Sequence, residues 1–168
     1  MVYLLPETDG SGKVRKTNAE EMMRHADPIL ATHVPGDLNI VVSSTTGGSG
    51  SVMGPIIAKK LLDKGKNVVY VAIGGNESAR AATNCRDTFK TLDGVVRATK
   101  QPLAVIYEDY ADGSQRKACD DSVSTAIMFL CRLASRQHHS FDTKDLTNWL
   151  RYDLTLSLIH ISEPTRPY

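Results

Sequence analysis

The chain lacks most of what would tie it to a polyanion, a metal or an oxidising compartment. Across 168 residues, 20 lysines and arginines face 19 aspartates and glutamates, a net charge of +1. So even a balance gives no overall footprint for nucleic acid or an anionic membrane surface. The cluster Lys13, Val14, Arg15, Lys16 is too short to change that and reads as a solvated loop. Aromatic residues are 6% of the chain, too few for a platform that stacks single-stranded bases. Cys85, Cys119 and Cys131 show no C-x-x-C spacing, which indicates a reducing compartment and not a disulfide framework. His138 and His139 are adjacent and neither has a histidine four residues on, so no metal site is expected. Neither a transmembrane run nor a secretory leader is evident, and the expected location is the cytoplasm.

What is present is 41% hydrophobic content, enough for one packed domain, and an unusual loop. SSTTGGSGSVMG (43–54) lies between NIVVSS (39–44), a β-branched run with no alternation, and MGPIIAKKLLDKG (53–65). The first reads as a strand buried on both faces. The second reads as a helix with Pro55 in its first turn and Gly65 ending it. NVVYVAI (67–73) supplies a second buried strand, completing a strand–loop–helix–strand unit of the right-handed parallel kind. Glycines there let a backbone approach an anion, and the following helix N-terminus favours negative charge.

Elsewhere, Thr17-x-x-Glu20 predicts a capping box opening a helix that bends or stops near Pro28. GGNES (74–78) is a polar loop, followed by a helix with Ala82, Cys85, Phe89 and Leu92 on one face. PLAVIYED (102–109) is a third strand with an acidic end. A long helix spans about 115–136 with Val123, Ile127, Leu130 and Ala134 inward, a stripe that reads as core. SFDTKDLTNWLRY (140–152) predicts a capped turn into a further helix. SLIHISEPTRPY (157–168) has no period and no cap, ends in a Pro-rich run and resembles translated sequencing-adapter DNA, so 154–168 is expected to be a non-native tail.

Two familiar phosphate loops fit poorly. A P-loop needs G-x-x-x-x-G-K followed by a hydroxyl residue; 43–54 has no lysine, and GSGKV (10–14) has Val14 for the hydroxyl and Glu7 for the first glycine. A Rossmann dinucleotide loop is loosely met by Gly48-x-Gly50-x-x-x-Gly54, but the acidic residue expected at the end of the next strand comes late, as Glu77. An NAD(P)-dependent oxidoreductase or other dinucleotide binder is the alternative reading.

TGGSGSVMG (46–54) resembles the signature loop of the tubulin and FtsZ superfamily, GGGTGSG or GGGTGTG followed by a helix. Gly47, Gly48, Ser49, Gly50 and Ser51 match directly or by a hydroxyl swap, and Thr46 and Val52 replace the outer glycines. The resemblance continues to about residue 152. DGSGKVRKTNAEE (9–21), with Gly10, Ser11 and Gly12, is similar to the family's γ-phosphate loop. Glu77 falls on its acidic ribose position, while Arg80 is one residue early for its arginine. Glu108 stands where an asparagine usually reads guanine, and Asp120 or Asp121 where the guanine edge is contacted. Arg116 and Lys117 replace the stacking aromatic. Asp142-x-x-Asp145 resembles the D-x-x-D of the synergy loop, with Ser140 for the usual asparagine.

The resemblance implies an α/β fold: a parallel-sheet, Rossmann-like GTPase domain of the tubulin/FtsZ type. It would be incomplete at its N-terminus, since the family's first two nucleotide loops would precede residue 1. Residues 1–136 would be a partial nucleotide-binding domain with the central helix, and 137–153 the synergy loop and the start of the next helix. It implies a divergent plasmid- or bacteriophage-type filament protein. GTP is the expected nucleotide, with any Mg²⁺ carried mainly by it. The implied partner is the chain itself in a head-to-tail polymer, without nucleic acid or membrane. Glycine-loop amides with Ser49 and Ser51 would hold phosphates. Asp142 and Asp145, three apart, would orient and deprotonate the hydrolytic water on a neighbouring subunit. Capping of the last helix by Asp142 is the simpler role for the same residues. The isolated chain is expected to be inactive.

Overall fold

A computed structural model of the chain describes residues 2–6, 8–110, 115–135, 145, 148 and 150, and the backbone of 157–160. The element order is α1 (Ala19–Thr32), β1 (Leu38–Ser44), α2 (Gly50–Asp63), β2 (Asn67–Gly74), α3 (Ala79–Thr99), β3 (Ala104–Asp109), α4 (Arg116–Ala134) and β4 (Ser157–His160). The strands form one sheet in the order β1-β2-β3-β4, and all neighbouring pairs are parallel. Parallel pairing requires crossovers, which α2 and α3 provide in the first two connections. A strand at 157–160 is not expected from the sequence; its backbone pairs in register with β3, Ala104 opposite Ser157.

Alternation along β2 divides the core. Val68, Tyr70 and Ala72 join Leu30, Ala58, Leu61, Leu62, Leu92 and Val96 on the α1–α2–α3 face. Val69 and Val71 join Val123, Ala126, Leu130 and Leu150 on the α4 face. β2 therefore has the continuous apolar sequence of a strand covered on both sides. β1 does not: among the described residues it lies at the sheet edge, its residues are mostly half-buried, and Val42 is exposed.

Local signals explain most boundaries. α2 ends at Gly65 (φ 67°), with Gly65 N–H to Leu62 O at 2.9 Å and Lys66 N–H to Leu61 O at 3.0 Å, the paired bonds of a glycine C-cap. Ser78 caps α3, accepting the Ala81 amide at 3.1 Å. The Thr17 box does not form. α1 starts at Ala19 after Asn18, whose side-chain amide is drawn away to Asp9 O at 2.8 Å. Pro28 does not stop α1 either. The carbonyl it orphans belongs to Arg24, and both residues are exposed, so water can serve it. On α3 the buried face is shifted by one residue from the expected one: Ala81, Asn84, Thr88 and Leu92 point inward and Ala82 is exposed. On α4 the buried stripe is Cys119, Val123, Ala126 and Leu130, with Ala134 exposed.

Candidate functional site

Parallel strands bring the C-terminal ends of β1, β2 and β3 to one rim, where loops 45–49 and 75–78 emerge. Loop 9–16, which precedes α1, reaches the same rim. Its tip is a tight turn with Gly12 (φ 55°) and Lys13 (φ 62°) both left-handed, closed by Val14 N–H to Ser11 O at 2.8 Å. This turn lies directly on Gly48. A Cβ there would run into the Ser11 side chain and come within 2.9 Å of the Val14 amide nitrogen.

The glycine loop is braced from below. Thr45 donates its amide to Ile73 O at 2.8 Å and its hydroxyl to the same oxygen at 3.1 Å. Ser44 Oγ accepts the amides of Thr46 (3.3 Å) and Gly47 (3.4 Å). Thr46 Oγ1 lies 3.1 Å from Tyr110 Oη. Ser51 is fully buried and donates its hydroxyl to Gly48 O at 3.1 Å, so it shapes the loop from inside. Ser49 occupies the N-cap of α2, and its hydroxyl meets Ser11 Oγ at 3.3 Å instead of capping. No acceptor among the described residues takes the amides of Gly48, Ser49, Gly50 or Ser51. These N–H groups lie at the positive end of a 14-residue helix; those of the half-buried Ser49 and Gly50 are the more accessible, while Gly48 and Ser51 are buried. Unpaired amides at a helix N-terminus are the kind of donor that an anion such as phosphate takes.

Asn84 holds the two loops at a fixed separation. From α3 its Nδ2 donates to Lys13 O at 3.0 Å and to Thr46 O at 2.9 Å, and the residue is buried. Arg15 makes a second tie, to Ser51 O at 2.9 Å, Thr88 Oγ1 at 2.6 Å and Thr91 Oγ1 at 3.1 Å. Burial lowers the Arg15 guanidinium pKa, while Asp87 and Tyr70 oppose the change. Sequence reasoning does not single out Asn84, and it reads Arg15 as part of a solvated loop, which the half-buried ties of Arg15 to α2 and α3 correct. The available signal is the polar series Asn84, Thr88, Thr91, spaced by four and three residues on a helix whose inward face should be apolar.

The expected ribose contact is also at this rim. Glu77 pairs with Lys13 across 3.2 Å, joining loop 75–78 to the turn at 10–13. Burial acts to raise its carboxyl, but its own backbone amide, Lys13 and Arg116 together hold it below the usual carboxylate range. Lys13 and Glu77 keep substantial exposure, so this pair is a surface feature.

The expected base-contact residues are more dispersed. Glu108 is buried in β3 and accepts the Ser122 hydroxyl of α4 at 2.8 Å. Asp121 is exposed and paired with Lys117 at 2.8 Å, and Asp120 is exposed beside it. Arg116 lies 5.4 Å above the Tyr110 ring. Tyr110 is thus an aromatic at the rim, in the loop before α4. Of the acidic pair, Asp145 is exposed on helical backbone, and Asp142 lies outside the described residues. Among the described residues no cluster of three His, Cys, Asp or Glu could hold a metal ion, and no helix is long and apolar enough to cross a membrane.

No family model matches the chain. It is 35% identical over 144 residues to a phage tubulin-like protein of Pseudomonas phage phiKZ, covering 85% of this chain and 44% of the relative. A solved protofilament of TubZ from bacteriophage PhiKZ superposes with a TM-score of 0.80 at 32% identity, over 88% of this chain and 48% of that one. The phage tubulin PhuZ with GDP gives 0.81 at 32% identity, over 89% and 48%. The chain spans about half the length of the curated relatives it matches. The glycine loop on the strand rim, the parallel sheet and these similarities agree: the chain belongs to the tubulin/FtsZ superfamily.

Proposed function

We propose that this chain carries the phosphate-holding half of a GTPase site in a cytoplasmic, self-assembling filament protein. The observation that carries the reading is the set of unclaimed amides at Gly48, Ser49, Gly50 and Ser51 on the N-terminus of α2. These N–H groups would hold the β- and γ-phosphates, with the Ser49 hydroxyl beside them. Gly10, Ser11 and Gly12 would form the opposite wall, and Glu77, paired with Lys13, would accept from a ribose hydroxyl. Asp120 and Asp121 would meet the base edge. Glu108, tied to Ser122, would support α4 from beneath. Because β2 ends at Gly74 with no carboxylate, the ribose contact of a dinucleotide fold has no residue to make it there.

Hydrolysis needs an acceptor for the proton of the attacking water. In this reading Asp142 and Asp145 supply it to the site of the next subunit, in a head-to-tail assembly that does not close on itself. The relatives' names fit both parts of the reading: one solved neighbour is a protofilament, which fits self-assembly, and another is bound to GDP, which fits a guanine nucleotide. GTP supplies the phosphoryl group transferred to water and would bring any Mg²⁺ with it.

The test is binding of GTP and of NAD to a protein of the relatives' full length carrying this sequence, with pelleting in each nucleotide. GTP binding with GTP-dependent pelleting supports the reading. NAD binding with pelleting indifferent to GTP overturns it. The 168-residue chain alone is expected to bind GTP weakly, and tight stoichiometric binding would contradict the half-site.

A further inference from the structure

Pro55 lies inside α2 and is fully buried, so the helix carries a proline where its ladder needs an N–H. The carbonyl left without its i+4 donor is Ser51 O, in the first turn and next to the glycine loop. An orphaned acceptor in a buried residue is destabilising unless another donor replaces the missing one. Here the replacement is Arg15, whose Nη1 reaches Ser51 O at 2.9 Å; the nearby Thr88 hydroxyl gives its single proton to Asn84 O at 2.7 Å. The same guanidinium binds Thr88 Oγ1 and Thr91 Oγ1 of α3. Arg15 follows the Ser11–Val14 turn that rests on Gly48.

We infer that Arg15 is a positioning residue: it takes the hydrogen bond that Pro55 removes from α2 and so fixes the turn at 11–14 against the phosphate-facing first turn of that helix. A proline in the ladder thereby creates a socket that a side chain from a separate loop can fill. An ordinary residue at 55 would fill the socket itself and leave the turn untethered. Lysine could not replace the arginine, because one ammonium cannot span the Ser51 carbonyl and both threonine hydroxyls as the planar fork does. The consequence for nucleotide rests on the phosphate-site reading above; the tether itself does not.

The test is a hydrogen-exchange cycle on the 168-residue chain with Arg15→Met, Arg15→Lys, Pro55→Ala and the Arg15→Met/Pro55→Ala pair. Amides of Val14, Val52 and Met53 report the tether, and those of Val69 and Val71 report global opening. Arg15→Met and Arg15→Lys should each speed exchange at the first three by roughly tenfold to a hundredfold and leave β2 unchanged. Adding Pro55→Ala should return Val52 and Met53 towards the parent rate, since the N–H restored at position 55 donates to Ser51 O, while Val14 stays fast. Unchanged rates in Arg15→Met, equal acceleration at Val69 and Val71, or no recovery with Pro55→Ala would each overturn the inference. GTP affinity of the same variants in the full-length protein separates the two ideas. Weaker binding in Arg15→Met supports both. Absence of GTP binding in the parent defeats the site reading, while the exchange cycle still decides on Arg15.

Discussion

Gly48 and Ser11 are packed so closely that no side-chain carbon fits between them. Two loops separated in sequence thus meet at one backbone position. Gly48→Ala must push the Ser11–Val14 turn away, and overpacking of this kind costs about 1–3 kcal/mol. Chemical denaturation of the variant should show that loss, with nucleotide affinity falling further than stability in the full-length protein. A neutral result would mean that the two loops are not jointly constrained.

Asn84→Ala removes the donor shared by the Lys13 and Thr46 carbonyls. Leaving the buried Thr46 carbonyl unmatched costs about 1–3 kcal/mol, the Lys13 carbonyl being partly served by water, and Asn84→Asp, which would turn a carboxylate towards two carbonyl oxygens, should lose at least as much. Denaturant midpoints of both variants check this. Asn84→Asp matching the parent would contradict the bonding described.

Glu77→Gln should alter stability by less than about 1 kcal/mol, because its partner Lys13 is largely solvated. In the full-length protein the same change should weaken GTP more than a deoxyribose analogue, which lacks the hydroxyl a carboxylate would accept from. Equal weakening of both would leave Glu77 without a ribose role.

Tyr70 is buried with its hydroxyl 2.5 Å from Ser43 Oγ, and burial pushes its pKa up to about 12. The folded value lies above the unfolded one, so this contribution is complete below about pH 10 and is lost as pH rises towards about 12. A two-unit difference corresponds to about 3 kcal/mol. The parent should therefore lose more stability than Tyr70→Phe across that interval. Parallel losses would show that Tyr70 does not set the alkaline limit.

The frame of the site is legible in the sequence because its signals are local. The run NIVVSS, the glycines at 47, 48 and 50 and the stop at Gly65 each act within a few residues and place β1, the loop and α2. What is not legible depends on partners distant in sequence. Asn84 and Thr88 look like solvent-facing residues until Lys13, Arg15 and Thr46 are brought against them. The capping potential of Thr17 is overridden once Asn18 finds Asp9. The half-burial of β1 depends on what packs beside it, which no strand reveals by itself; among the described residues it is the outermost strand.

The most direct test of the account is GTP hydrolysis per subunit as a function of protein concentration in the full-length protein, with Asp145→Ala beside it. A site completed by a neighbour predicts a rate per subunit near zero when subunits are dilute and rising as they assemble, with Asp145→Ala binding GTP as well as the parent but hydrolysing it slowly at every concentration. A rate per subunit independent of concentration, or an Asp145→Ala protein that loses binding and hydrolysis together, would contradict it.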